Sequence, residues 1–273
     1  MKKIVLLTLL IFNFSFSQKI IKDINLSKLI DETSGLEIVD GQFITHNDSG
    51  GDPKLYYLNK KGKIISERKI TGVKNNDWED ITQDDKFIYV ADMGNNYDTR
   101  KNLCVIKIPK DKNSVINPEI IKFNYPEQND FRYKKLSQFD AEALISINEF
   151  LIIFTKNRAT KMTDIYSLPK NGGEYEAKKI GSLNTQSIIT GGDYDQENEL
   201  LILTSTISFD EYYILKIKDF SLKNKKDYKI KMYEIPIGKT QVEAVKIIDS
   251  NTFWITSEDE KSSSSARLMK IRL

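Results

Sequence analysis

A short pattern returns five times along this chain: a small or acidic residue, a small or apolar neighbour, and then an apolar run. It reads Ser34-Gly35-Leu36, Glu79-Asp80-Ile81, Glu142-Ala143-Leu144, Gly192-Asp193-Tyr194 and Glu243-Ala244-Val245, at intervals of 45, 63, 50 and 51 residues. Repeats of this length that break into several short alternating runs restrict the fold to stacked or radially arranged sheets.

The first repeat divides into Leu36 to Val39, Gln42 to His46, Lys54 to Leu58 and Ile64 to Ile70. Asp40-Gly41 separates the first two runs, a dipeptide that tolerates positive φ and marks a hairpin. The second gives Phe87 to Ala91, Leu103 to Ile108 and Glu119 to Tyr125, followed by a polar insertion from Glu127 to Gln138. The third gives Phe150 to Thr155, Asp164 to Leu168 and Glu176 to Leu183, and the fourth Leu200 to Thr204, Tyr212 to Ile217 and Tyr228 to Ile235. No segment carries a sustained 3.6-residue apolar period.

After Glu243 the chain has room for only three strands: Val245 to Ile248, Thr252 to Thr256 and Arg267 to Ile271. The missing outer strand is available at the other end, where Ile20, Ile21, Ile24 and Leu26 precede the first repeat. Closing the ring with both termini removes open sheet edges. The fold expected is therefore all-β, a single five-bladed β-propeller over 18–273, with six blades as the alternative.

Lys2 and Lys3, an apolar stretch from Ile4 to Phe16 and the small residues Ser15 and Ser17 read as a signal peptide over 1–17, so the protein is expected to be exported, to periplasm or medium. The apolar part is too short for a bilayer span. Removing it takes two lysines from a net charge of +2 and leaves a balanced chain. That balance gives no reason to expect nucleic acid or membrane insertion; the expected partner is a small molecule or an extracellular polymer, and the expected state a monomer. The lone cysteine, Cys104, excludes an intrachain disulfide.

In a propeller the first strand of each blade lines the axis, so Glu79, Glu142, Asp193 and Glu243 are expected to form one ring. Such carboxylates repel unless compensated, and calcium, which takes six to eight oxygens, suits the ring as a metal. The alternative is that each carboxylate accepts backbone N–H groups of a neighbouring blade. A second set follows the second strands, in Thr45-His46-Asn47-Asp48, Ala91-Asp92-Met93-Gly94, Thr155-Lys156-Asn157-Arg158 and Thr256-Ser257-Glu258-Asp259. From it Asp48, Asp92, Lys156, Arg158 and Glu258 are ligand-binding candidates; turn chemistry is the competing use of such residues. His46 is the only histidine and, with a carboxylate as the alternative, the candidate catalytic acid or base. Neither G-x-S-x-G nor a phosphate-cradling glycine loop occurs. Trp78 and Trp254 suit either a sugar or packing between blades.

Glu32-Thr33-Ser34-Gly35-Leu36, Thr45-His46-Asn47-Asp48-Ser49-Gly50, Asp77-Trp78-Glu79-Asp80-Ile81, Tyr89-Val90-Ala91-Asp92-Met93-Gly94 and Asp140-Ala141-Glu142-Ala143-Leu144 together resemble a family of exported bacterial propeller proteins of unsettled activity. That family commonly has an acid where this chain has Asn95. More distantly the blades are similar to those of phytase-like esterases, gluconolactonase-like enzymes and SdiA-regulated proteins, some of which use calcium near the tunnel mouth. The resemblance implies a propeller with a site at that mouth. Two functions are carried forward: a binding propeller that holds a small ligand or a divalent cation at the loop face, and a calcium-assisted phosphoesterase or lactonase-type hydrolase.

Overall fold

The computed structural model describes residues 18–111, 117–208, 210–223, 227–238, 240–259 and 265–273; the segment read as a signal peptide lies outside them. Strand β1 (Lys19–Asn25) leads into the first blade, β2 (Thr33–Val39), β3 (Gln42–Asn47), β4 (Lys54–Leu58) and β5 (Ile64–Lys69). The second blade is β6 (Trp78–Gln83), β7 (Phe87–Asp92), β8 (Cys104–Pro109) and β9 (Glu119–Asn124). The third holds β10 (Ala141–Ile147), β11 (Phe150–Thr155) and β12 (Thr163–Pro169); β13 (Gly173–Glu176) leaves it and β14 (Lys178–Leu183) completes it. Strands β15 (Ile188–Asp195), β16 (Leu200–Ser208), β17 (Glu211–Ile217) and β18 (Ile230–Glu234) form the fourth. The fifth is β19 (Val242–Asp249), β20 (Thr252–Ser257) and β21 (Arg267–Arg272).

Five antiparallel meanders stand around one axis. Their inner strands β2, β6, β10, β15 and β19 each lie beside the next, and β19 returns to β2. β1 pairs with β21 as the outermost strand of the fifth sheet, so both ends of the chain close the ring. Arg267 reinforces that seam by binding the Asp23 carboxylate. The architecture is a five-bladed β-propeller, and the described residues contain no α-helix.

Alternation along each strand divides the core into five seams, because successive side chains leave opposite faces of a sheet. In β3, Phe43 faces the fifth blade and meets Trp254 edge-on at 4.9 Å, while Ile44 joins Ile88, Val90 and Ile106 of the second. Trp78 is fully buried in that second seam. Both tryptophans therefore serve packing between blades.

One strand departs from the sequence expectation. The expected strand from Glu176 to Leu183 forms as β14 from Lys178 onward, but just before it β13 pairs parallel with β9 and becomes a fifth strand of the second blade. The Asp40-Gly41 hairpin forms as expected, with φ of 49° and 74° at its two central residues.

Candidate metal centre at the tunnel mouth

Each inner strand carries a bulge near its start, and the bulge decides which side chains reach the axis. Pairing skips between Trp78 and Asp80, between Ala141 and Ala143, between Ile189 and Gly191, and between Val242 and Ala244. The extra residues are thus Glu79, Glu142, Thr190 and Glu243. A bulged residue lies outside the ladder and is re-aimed relative to its neighbours. In the first blade the skip falls between Ser34 and Glu37, where Gly35 has φ +65°. A Cβ at Gly35 would come within 2.7 Å of the His46 ring and 2.8 Å of the Ile81 amide.

This register corrects the ring expected from sequence. Asp193 stands three residues beyond the bulge of its blade, and Thr190 takes the place that Glu79, Glu142 and Glu243 hold in theirs. Asp193 accepts the Ile247 amide at 2.7 Å and the Lys246 ammonium at 2.9 Å; Lys246 also reaches Glu37 at 2.8 Å. Asp80 does the equivalent between the second and third blades, accepting the Leu144 amide at 2.8 Å, and the Ser34 hydroxyl donates to the Glu79 carbonyl at 2.5 Å. Asp80 and Asp193 are the blade-locking carboxylates. Glu79, Glu142 and Glu243 are different.

Those three line a pocket of 360 Å³ with Ser34, Asp48, Asn96, Tyr97, Lys135, Lys156, Arg158, Gln241 and Glu258. Four of the five blades contribute, each from the start of its inner strand or the end of its second strand. Oxygens of Asp48, Asp77 and Glu79 lie within 4.8 Å of one another, as do those of Glu79, Asp140 and Glu142. Gly94 presses against this group, since a Cβ there would overlap the carboxylates of Glu79 and Asp77.

Among the described residues, cations answer only part of the acid. Lys156 pairs with Glu142, Arg158 with Asp140, and Arg100 with Asp92 at 2.6 Å and with Asp77 at 3.9 Å. Glu243 is 6% exposed, yet among the described residues its Oε2 has no hydrogen-bond partner, and Asp48 Oδ1 is in the same position. Burial, with the charges of Glu142, Asp77 and Glu258 behind it, pushes Asp48 up to about 8. Burial likewise moves Asp77 up to about 6 against the pull of Arg100. Glu79 and Glu243 are raised well above the ordinary carboxylate range, first by burial and then, for Glu79, by Glu142 and Asp48. Burial disfavours the charge on Lys156, but Glu142, Glu243 and Asp140 outweigh it and hold the ammonium above its ordinary value.

Of the remaining sequence candidates, Glu258 takes the Gln241 amide at 2.7 Å at the pocket edge. Asp92 sits just behind, held by Arg100, Asn76 and the Asp77 amide. His46 is fully buried, edge-on to Trp78 at 5.5 Å, and burial lowers it to about 4. It is a neutral packing ring under Gly35 and does not line the pocket. Cys104, raised to about 12 by burial, has no thiolate character.

Sequence reasoning missed Asp77 and Asp140, although each stands two residues before the bulged glutamate of its blade, in Asp77-Trp78-Glu79 and Asp140-Ala141-Glu142. It also missed Tyr97 and Lys135. Larger hollows occur on the opposite face, beside Asp40, Asp84 and Lys110 (730 Å³), and between the third and fourth blades (720 Å³). Asp84 in the first is already bonded to Tyr89, Lys86 and Phe87.

These features define a β-propeller with an acid-lined tunnel mouth. No family model and no curated protein matches the chain. Solved structures do. The PQQ-bound aldose sugar dehydrogenase of Streptomyces coelicolor superposes with a TM-score of 0.55 at 8% identity, over 94% of this chain and 98% of that one. The exo-β-1,3-galactanase of Phanerochaete chrysosporium gives 0.57 at 11%, over 93% of this chain and 64% of that one. A hypothetical protein of Leishmania major gives 0.51 at 8%, over 93% and 91%. At such identities the likeness is one of fold alone.

Proposed function

We propose that the protein is an exported binding propeller that holds a divalent cation, calcium by its chemistry, at the tunnel mouth. The observation that carries this reading is Glu243: a residue 94% buried, lining a pocket with other acids, with one carboxylate oxygen left without a partner among the described residues. An orphaned buried carboxylate is costly. Asp48, Asp77, Glu79, Glu142 and Glu243 offer oxygen donors only, the set a hard cation takes, and nitrogen or sulfur ligands for zinc are absent from the pocket. A bound cation would supply the charge that Lys156 and Arg158 leave short.

Isothermal titration of calcium into metal-free protein tests this. Saturable binding is expected, weakened strongly in Glu243→Gln and Glu79→Gln. A wild-type protein that takes up no calcium at neutral pH defeats the reading. A second reading, a calcium-assisted phosphoesterase or lactonase, draws support from Lys135 and Arg158, which line the same pocket and suit an anionic substrate. Turnover of p-nitrophenyl phosphate or a sugar lactone that requires calcium would select it.

A further inference from the structure

The inserted stretch after the second blade folds back to the mouth. Asp98, fully buried with φ of 57°, accepts the amides of Gln138 (3.0 Å) and Phe139 (2.9 Å), and its carbonyl accepts the Gln128 side chain at 2.8 Å. The Lys134 amide reaches the Tyr97 carbonyl at 3.0 Å. This anchoring sets Lys135 in the pocket wall and stacks Tyr133 on Tyr97, with centroids 4.7 Å apart and planes 23° from parallel. Yet the pair is far from buried: Tyr97 is 50% exposed and Tyr133 66%.

Tyr97 lines the pocket and Tyr133 stacks against it, so the pair makes an exposed aromatic shelf beside hydrogen-bonding groups. Asn96 and Gln241 supply such groups, and the cations Lys135 and Arg158 stand beside them. An amine ligand would meet those cations unfavourably. A sugar ring suits the shelf, because one of its faces is C–H and its edge is hydroxyl. We propose that the mouth takes an anionic saccharide, its ring on the Tyr97–Tyr133 shelf and its acidic group between the bound cation and Lys135 and Arg158.

This proposal rests on the cation-binding reading. A bound calcium ion and the acidic group of the saccharide would stand side by side with opposite charge, so the two must bind with positive coupling, each tightening the other by the same factor.

The test is calorimetric titration of trigalacturonate, galactose 6-phosphate and neutral galactotriose into the full chain, with calcium and with chelator. Calcium-loaded protein is expected to bind at least one anionic probe, and whichever binds names the acidic group. The neutral sugar and the chelated protein should bind at least about tenfold more weakly, within the usual range of such coupling. Tyr97→Ala and Tyr133→Ala should each weaken the anionic probe several-fold, while calcium titration of the same variants reports on the cation site by itself. Calcium binding with no saccharide binding overturns this proposal alone, as does undiminished binding by both tyrosine variants or equal binding of galactotriose. Failure of calcium to bind overturns both readings.

Discussion

Metal-free protein should lose stability as pH rises through neutrality, and calcium should abolish that loss. Asp48 is held at about 8 when folded against an ordinary 3.8, so across this interval the folded chain retains a proton that the unfolded chain has released. Stability falls with rising pH wherever the folded state binds more protons. Between about pH 6.5 and 8.5, ionising one group with that folded value costs about 2 kcal/mol. Glu79 and Glu243 are displaced in the same direction and add to it. For a domain of this size the cost corresponds to a fall in Tm of about 4 to 8 °C. His46 acts in the opposite sense: lowered to about 4, it adds stability as pH rises toward its ordinary 6.5 and nothing above that. It is present in both samples and cancels in their difference.

The assay is differential scanning calorimetry of stripped and calcium-saturated protein at closely spaced pH. Calcium binds the ionised carboxylates and releases their protons, so its affinity increases over the same interval. At about a hundredfold excess over Kd it contributes about 2.7 kcal/mol. The two Tm curves should coincide near pH 5 and diverge progressively above pH 6.5. Parallel curves, or metal-free protein that gains stability from pH 6.5 to 8.5, would refute the reasoning.

Three substitutions probe other parts of the design. Gly94→Ala puts a methyl group where the Glu79 and Asp77 carboxylates lie, so calcium affinity should drop by about tenfold or more, as found when the surroundings of metal ligands are disturbed, with the circular dichroism spectrum unchanged. Lys246→Met strips Glu37 and Asp193 of the cation they share and should cost about 3 kcal/mol in urea unfolding, part of it regained on adding Glu37→Gln. Gly35→Ala forces a side chain into left-handed backbone and against His46 and the Ile81 amide; a loss of about 2 kcal/mol or more is expected in the same measurement.

The blades were legible because alternation and turn residues are local. Gln42 to His46 and Lys54 to Leu58 were bounded within a residue of β3 and β4, and the N-terminal strand found its partner because the last repeat ran out of chain. The fourth inner strand was misaligned for a physical reason. Gly192-Asp193 copies the small-and-acidic pattern of the other repeats, but the bulge is defined only by pairing with β16, and it falls at Thr190. Strand β13 was equally hidden, since it is recruited by the open edge of β9. Within the mouth, Glu79, Glu142 and Glu243 were reachable from the repeat. Tyr97, Tyr133 and Lys135 were not, because their meeting depends on Asp98 gripping an insertion 40 residues away in sequence.

The pairing of β1 with β21 has a consequence for how the molecule comes into being. Of the described strands the earliest to be made is the last to find its neighbour, since Ile20 and Ile24 must wait for Ile271 and Leu268, about 250 residues further on. Contacts of such separation are slow to form, and until they do the fifth sheet presents a bare edge to anything nearby. Premature truncation near the C-terminus should therefore leave a sticky intermediate rather than a slightly smaller version of the native molecule.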